Sequence, residues 1–548
     1  MVQERRISCD VLVIGGGIAG CMAAIRATEM GARTVLASKG PVGRSGSSVV
    51  AAGTYLYYSP EEDLTGYLRD ACQIGNFLDD QEMEEEVIRE CHQRRLDMDR
   101  WGVEWDKEGG DFVRKPGLGM TRMRNCYFHG GRQMMSVLRG ETERRGASIL
   151  DRIMVVDLLT SDGRHPTEAR VVGAMGFGVR DGRLYVFEAK ATVLASGDWG
   201  IGELHPGDNT GDGQAAAWRA GALMRNMDQL GFSVAPSAFP SMPGLHPLTG
   251  HGARFVNRLG ERFMAGYQPE LMERGSRAAL AQSMAREIRE GRGPVYMDCR
   301  HFSHQDLERL AQILPHTFKG FQRIGVDLAR DLVEYMPVLY GNGPSGGIKL
   351  DAECRTTLQG LYCAGGASDR MYAGVPGLTG ASVQGWKAGG TAAQYAATRS
   401  PVPPSPTQVA DLEKAVYEPL ARADGAHPDD VYQQAREIVK EKIGVLKDGQ
   451  RLAQGAEALA RLRTEVLPRL KAGDYHGLMR AHEVRNIVEL GELVARASLE
   501  RKESRYFNFR EDYPQRDDAN WLKWVIAQVD GQGARIWTEN IPLSRVKP

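Results

Sequence analysis

Residues 9–20 run Cys9-Asp10-Val11-Leu12-Val13-Ile14-Gly15-Gly16-Gly17-Ile18-Ala19-Gly20, and this stretch decides the fold. Val11 to Ile14 form a short apolar run rich in β-branched residues, which suits a strand buried on both faces of a parallel sheet. Gly15, Gly17 and Gly20 follow at the spacing of a dinucleotide turn. There the first glycine makes the turn, the second lets backbone amides approach a pyrophosphate, and the third lets helix pack on strand. Ile18 and Ala19 open the helix, whose N-terminal N–H groups and dipole favour an anion. Residues 19–30 continue at helical spacing and 32–37 supply a second strand, completing a βαβ unit. The alternative is a bare glycine turn, and the strand before it and helix after it weigh against that.

A nicotinamide dinucleotide site ends its second strand on an acidic residue that holds the ribose. Here the strand ends Ser38-Lys39-Gly40, which turns attention to FAD. Three further segments agree. One is a strand closing on Ala195-Ser196-Gly197, and another is Asn209-Thr210-Gly211-Asp212-Gly213 ahead of an alanine-rich helix. The third, residues 360–369, ends a strand in the pair Gly365-Gly366. It is followed by Gly380-Ala381-Ser382-Val383, expected to open a helix whose N-terminus faces an electron-rich ring.

Around this core the chain has 548 residues, 42% hydrophobic and 25% charged, enough for two or three globular domains. Its formal charge of -1 gives no general pull toward nucleic acid or anionic membrane. The cysteines stand singly at 9, 21, 72, 91, 126, 299, 354 and 363. That excludes CxxC metal or cluster sites and fits a reducing cytoplasm. No run approaches the ~18 apolar residues of a membrane span, and Arg5-Arg6 lacks the rest of an export signal. Strand-and-glycine texture stops near 230, gives way to proline-rich loops and helices such as 277–289, and returns at 346–367. After the proline-rich linker at 399–406 the sequence is charged and helical, with a long helix near 478–502.

With these motifs in order, the chain resembles the flavoprotein-subunit family of succinate dehydrogenase and fumarate reductase, which includes aspartate oxidase and the adenylylsulfate reductase alpha subunit. The resemblance also rests on Ser38-Lys39 with Arg44-Ser45, Gly260-Glu261-Arg262-Phe263-Met264, residues 287–293, and residues 501–505 through 511–514. The texture is nearest the adenylylsulfate reductase alpha type. It implies an α/β fold: a Rossmann-like, three-layer ββα FAD domain (1–232 and 343–398), an inserted α+β cap (233–342) and a C-terminal helical domain (399–548).

Family members that attach FAD covalently do so through a histidine after the Arg-Ser pair. Here Gly46-Ser47-Ser48 follow, so noncovalent FAD is expected. Dicarboxylate-handling members carry a histidine where this chain has residues 341–345, and an arginine where it has Gly377. Their absence argues against fumarate or succinate as substrate. The family's proton-transferring arginine matches Arg277 in Ser276-Arg277, and its relay carboxylate aligns with His251. Arg277 can equally be a salt-bridge arginine and His251 a loop histidine. His129 is a further candidate near the flavin, and Arg132 and Arg254 can bind an anion or pair with acids. The charged stretch from Arg501 reads by default as a solvated face, and Tyr506 and Asn508 replace a glycine and a histidine usual there.

The resemblance implies a reductase or dehydrogenase passing electrons between a small anionic substrate and a separate iron–sulfur, ferredoxin-like partner. A homo-oligomer stays open. The alternatives are a stand-alone oxidase that makes hydrogen peroxide, and a flavin-binding module without turnover. A lid such as the cap favours catalysis, since it matters chiefly when chemistry is shielded from water.

Overall fold

The structure, a computed structural model, describes residues 4–201, 209–239, 244–339, 346–369, 374–530 and 533–548. Residues 341–345 and Arg370 lie outside the described residues.

The strand Glu4–Ile14 lies inside a seven-stranded sheet. It starts earlier than its apolar signal because residues 4–6 pair with 184–186 through the backbone ladder, their exposed side chains adding Arg5 over the Tyr185 ring and Arg6 to Glu188 at 3.3 Å. Thr34–Ser38 pairs parallel on one side and Leu184–Leu194 parallel on the other. The latter is one continuous strand of 11 residues. Its far edge changes partner: residues 184–188 pair antiparallel with Val171–Gly178, and 192–194 pair parallel with Leu361–Cys363.

Between Leu194 and Leu361 the chain leaves this sheet and builds another. Phe232–Pro236, Val333–Leu339, Val295–Asp298 and Arg254–Val256 lie side by side in that order, all antiparallel. Helix Arg277–Arg289 belongs to this insertion. Ser276 caps it by accepting a hydrogen bond from the Ala279 N–H at 3.2 Å, which satisfies an otherwise orphaned donor.

Helix Ile18–Glu29 packs on Gly377–Ala397 with the backbones in contact. A Cβ on Gly385 would lie 2.3 Å from the Ala19 carbonyl oxygen, and one on Gly389 2.2 Å from that of Ala23. This close approach sets the N-terminus of the second helix beside the dinucleotide turn. That helix starts at Gly377 rather than at Gly380 as expected, with Pro376 fixing its entry.

The C-terminal part holds Pro406–Ala421, Pro428–Lys442, Gly449–Arg461 and the 26-residue helix Tyr475–Glu500. It also contains an unexpected hairpin, Lys523–Asp530 with Gly533–Asn540, which joins Met224–Arg225 and Gly347–Ile348 in a four-stranded sheet. The sequence shows only a four-residue apolar run for it, Trp524 to Ala527, all buried.

The stretch from Arg501 is a solvated face only from Glu511 to Arg516; its first part is largely buried. Arg501, Glu503 and Arg505 are fully buried in an alternating ladder: Asp228 to Arg501 at 2.5 Å, Arg501 to Glu503 at 3.0 Å, Glu503 to Arg505 at 2.6 Å. Each charge faces its opposite, the condition under which charges are tolerated in a core. Tyr506, at the glycine position, has φ +53°, the left-handed region that glycine adopts without strain. Among the described residues no helix is long and apolar enough to cross a membrane.

Candidate active site

Gly15 has φ +117°, and a Cβ there would fall 2.2 Å from the Ala195 carbonyl oxygen. A Cβ on Gly20 would lie 1.8 Å from the carbonyl oxygen of Gly15. The turn therefore carries no side chains at these points, and its bare backbone lines a cleft. Gly15, Gly16, Gly17, Ile18 and Ala19 line it from the turn, with Ser38, Lys39 and Gly40 beyond the second strand. The loop Ser45, Gly46, Ser47 and Ser48 closes another side. Ala195, Ser196, Gly197, Asn209, Asp212, Gly365, Gly366, Gly377, Leu378 and Ala381 contribute to the rest.

Most of the residues expected to hold the cofactor thus meet in one place, but several do not line it. Gly20 lies beneath the turn as a packing position, and Arg44 is exposed. Gly211 (φ +71°) precedes helix Asp212–Ala220, and the Thr210 hydroxyl is taken up by Lys39 and Asp212. Gly380, Ser382 and Val383 are turned away because the helix begins at Gly377, which puts Ala381 on the same face as Gly377 and Leu378. The Ser382 hydroxyl instead shares a hydrogen bond with the Tyr55 hydroxyl at 2.7 Å and donates to the Thr379 carbonyl. Val383 lines a separate cleft beside Trp386.

Two residues of the cleft carry roles that the sequence alone does not assign. The Ser48 hydroxyl accepts from the Ile18 N–H at 3.2 Å, tying the 45–48 loop to the first turn of the dinucleotide helix. Asn209 donates to the Ser47 hydroxyl at 2.7 Å and to Asp198 at 3.0 Å. Each stands inside a motif that the sequence marks, so their neighbours were the available signal.

Lys39, at the wall of the cleft, is an ion-paired residue. Its Nζ is held by Asp212 at 2.8 Å, Glu483 at 2.7 Å and the Thr210 hydroxyl at 2.8 Å. Burial pulls this ammonium down, but the two carboxylates outweigh it and hold the group above the ordinary lysine range. Asp212 in turn keeps its carboxyl below the usual range against burial, through Lys39, Thr210 and Asn486. Glu483 arrives from the long C-terminal helix, and nothing local in its sequence marks it.

On the insertion, Arg277 meets a histidine that the sequence did not single out. Its Nη2 lies 3.4 Å from Nε2 of His246. His251 donates from Nδ1 to the Pro247 carbonyl at 2.8 Å, and Lys115, Asp306 and Arg309 form its charged surroundings. The short helix Leu245–Gly250 explains the exchange, since five residues at about 100° each put the two rings roughly 140° apart. His129 and Arg132 line a different cleft with His316 and Lys319. Arg254 is exposed on a strand opposite Asp298.

Against known protein families, the description "FAD binding domain" matches residues 10–383 and "Fumarate reductase flavoprotein C-term" matches residues 432–548. The fumarate reductase (CoM/CoB) subunit of Methanothermobacter marburgensis is 30% identical over 541 residues, 94% of this chain and 96% of that one. The chain belongs to the fumarate reductase and succinate dehydrogenase flavoprotein family. L-aspartate oxidase of Streptomyces coelicolor is 28% identical over 553 residues, 96% of this chain and 92% of that one. The solved structure of E. coli quinol fumarate reductase FrdA matches with a TM-score of 0.89 at 23% identity, over 99% of this chain and 98% of that chain. At that identity the likeness is one of fold.

As a member of this flavoprotein family the chain is an FAD-dependent oxidoreductase. The cleft fits the cofactor in its own chemistry. Bare backbone and a helix N-terminus meet at the turn, where a pyrophosphate is best held. Gly46, at the position after the Arg-Ser pair, has φ +81° and nothing within 4 Å of where a Cβ would point. Among the described residues no histidine lines the cleft.

Proposed function

We propose that this flavoprotein exchanges electrons with a small anionic substrate held between the FAD cleft and the inserted sheet, which acts as a cap. The observation that carries this is the seam around Arg277. The Gly119 N–H donates to the Arg274 carbonyl at 2.5 Å and the Leu118 N–H donates to Nδ1 of His246 at 3.0 Å. The cap is thereby joined to the 117–119 loop beside the guanidinium.

FAD, when bound, supplies the two-electron exchange. Arg277, fixed at the first turn of its capped helix, holds the negative charge of the substrate and moves a proton to or from it. A guanidinium is a weak acid in water, so this role depends on the cap excluding water. Residues 1–232 and 343–398 serve as the FAD domain, 233–342 as the cap and 399–548 as the helical domain. The flavin is bound noncovalently. A coupled assay with reduced viologen over a panel of small acids tests the substrate class; saturable flavin-dependent turnover of an acid is expected.

The electron partner in this reading is a separate iron–sulfur, ferredoxin-like protein in the cytoplasm. All eight cysteines are buried and unpaired, and a flavin beneath a cap is a poor collision partner for large donors. Recovery of an iron-containing partner by pull-down is expected. The L-aspartate oxidase relative favours one second reading, a stand-alone oxidase. Stoichiometric peroxide release under air, with full activity in iron-free protein, would select it.

A further inference from the structure

Nδ1 of His246 accepts a hydrogen bond from the Leu118 N–H at 3.0 Å. A ring nitrogen that accepts carries no proton, so the neutral ring bears its hydrogen on Nε2. The ring is neutral: burial, and then the nearby Arg277, pull its pKa down to about 3. Yet Nε2 lies 3.4 Å from Nη2 of Arg277, and a guanidinium has donors only. The contact is therefore two N–H groups converging from different elements, and one oxygen can accept from both.

This point is connected to the FAD cleft. Leu378 lines the cleft, and its neighbour Thr379 accepts at Oγ1 from the Leu56 N–H at 2.9 Å. Leu56 stands opposite Asn125 in the strand pair Thr54–Tyr57 and Arg124–Tyr127. Asn125 and His246 then share Gly117, where a Cβ would come 2.4 Å from Asn125 Nδ2 and 2.5 Å from His246 Nδ1. His246 retains partial solvent access here despite its depth.

We propose that His246 is a substrate-binding residue, its Nε2–H and Arg277 together gripping one carboxylate oxygen of the substrate. This rests on the anionic-substrate reading above and narrows it. With glycine at 377 no guanidinium comes from that position for a second carboxylate, so the grip of His246 and Arg277 is on one charged end of a small acid.

The test compares two polar variants of the FAD-loaded protein, titrated with acetate, pyruvate, oxalate and malonate while the flavin absorbance is followed. His246→Gln keeps an N–H near the Nε2 position, whereas His246→Asn keeps polarity near Nδ1 and loses that donor. Binding about 10- to 100-fold weaker in His246→Asn, with His246→Gln close to wild type and FAD content equal, is the expected result. Equal binding by both variants and wild type overturns the role of His246 and leaves the anionic-substrate reading standing. Equal weakening of both overturns it too. No perturbation of the wild-type flavin by any of these acids sinks the anionic-substrate reading itself.

Discussion

Nζ of Lys39, just past the second strand, lies 2.7 Å from Oε1 of Glu483 in the long C-terminal helix. This ion pair joins the FAD cleft to the far end of the sequence, with Asp212 completing it at 2.8 Å. Lys39→Met leaves two buried carboxylates without their shared cation. A loss on the order of 3 kcal/mol in chemical unfolding is expected, with a lower FAD-to-chain ratio after gel filtration. Unchanged stability would mean that Arg480 suffices for Glu483 and the Thr210 and Asn486 hydrogen bonds suffice for Asp212.

Acid stability should follow two histidines held neutral in the fold. Burial, then Arg277, takes His246 down to about 3. Burial takes His482 down to about 4, against the bond to the Val416 carbonyl. Unfolded histidine titrates near 6.5. Above that pH neither state binds the proton and nothing is lost. Below it the unfolded chain gains protons that the folded chain refuses, so stability falls with pH until the folded values are reached. At pH 5 each group costs about 2 kcal/mol. Melting temperature should fall from pH 7 to pH 5, less steeply in His246→Asn; a parallel fall in that variant would remove His246 from the account.

The flavin should leave the polypeptide when the fold is lost. Gly46-Ser47-Ser48 offers no imidazole, and the cleft has no histidine among the described residues. Acid or heat denaturation should put about one FAD per chain in the supernatant. Fluorescence that stays with the band on denaturing electrophoresis would show a covalent bond.

Fumarate and succinate should give no saturable turnover with artificial donors or acceptors. Gly377 lines the cleft and brings no guanidinium to it, and a dicarboxylate without its second cation binds poorly. Robust, saturable fumarate reduction would contradict this.

The fold was legible where its cause is local. Gly15 and Gly20 announce the turn because its own backbone requires them, Gly15 through φ +117° and Gly20 through the Gly15 carbonyl 1.8 Å from where its Cβ would lie, and Ser276 announces the helix that carries Arg277. What stayed hidden depends on contacts distant in sequence. Glu483 matters only because Lys39 is folded against it, and Arg501, Glu503 and Arg505 look solvated until Asp228 is seen beneath them. The resemblance points to His251, but the turn of the short helix between the two histidines brings the His246 ring to Arg277 instead. The start of the last flavin-side helix was misplaced by three residues, enough to turn Ser382 and Val383 off the cleft.

In our proposal a noncovalent FAD and Arg277 under the cap form one active site. Its most direct test is Arg277→Ala, assayed in the viologen-coupled reaction with whichever acid the wild type turns over, alongside FAD content. Arg277 is expected to supply charge stabilisation and proton transfer, so the rate should fall at least about 100-fold while FAD per chain stays at the wild-type value. Wild-type turnover in the variant, or loss of its FAD, would contradict the account.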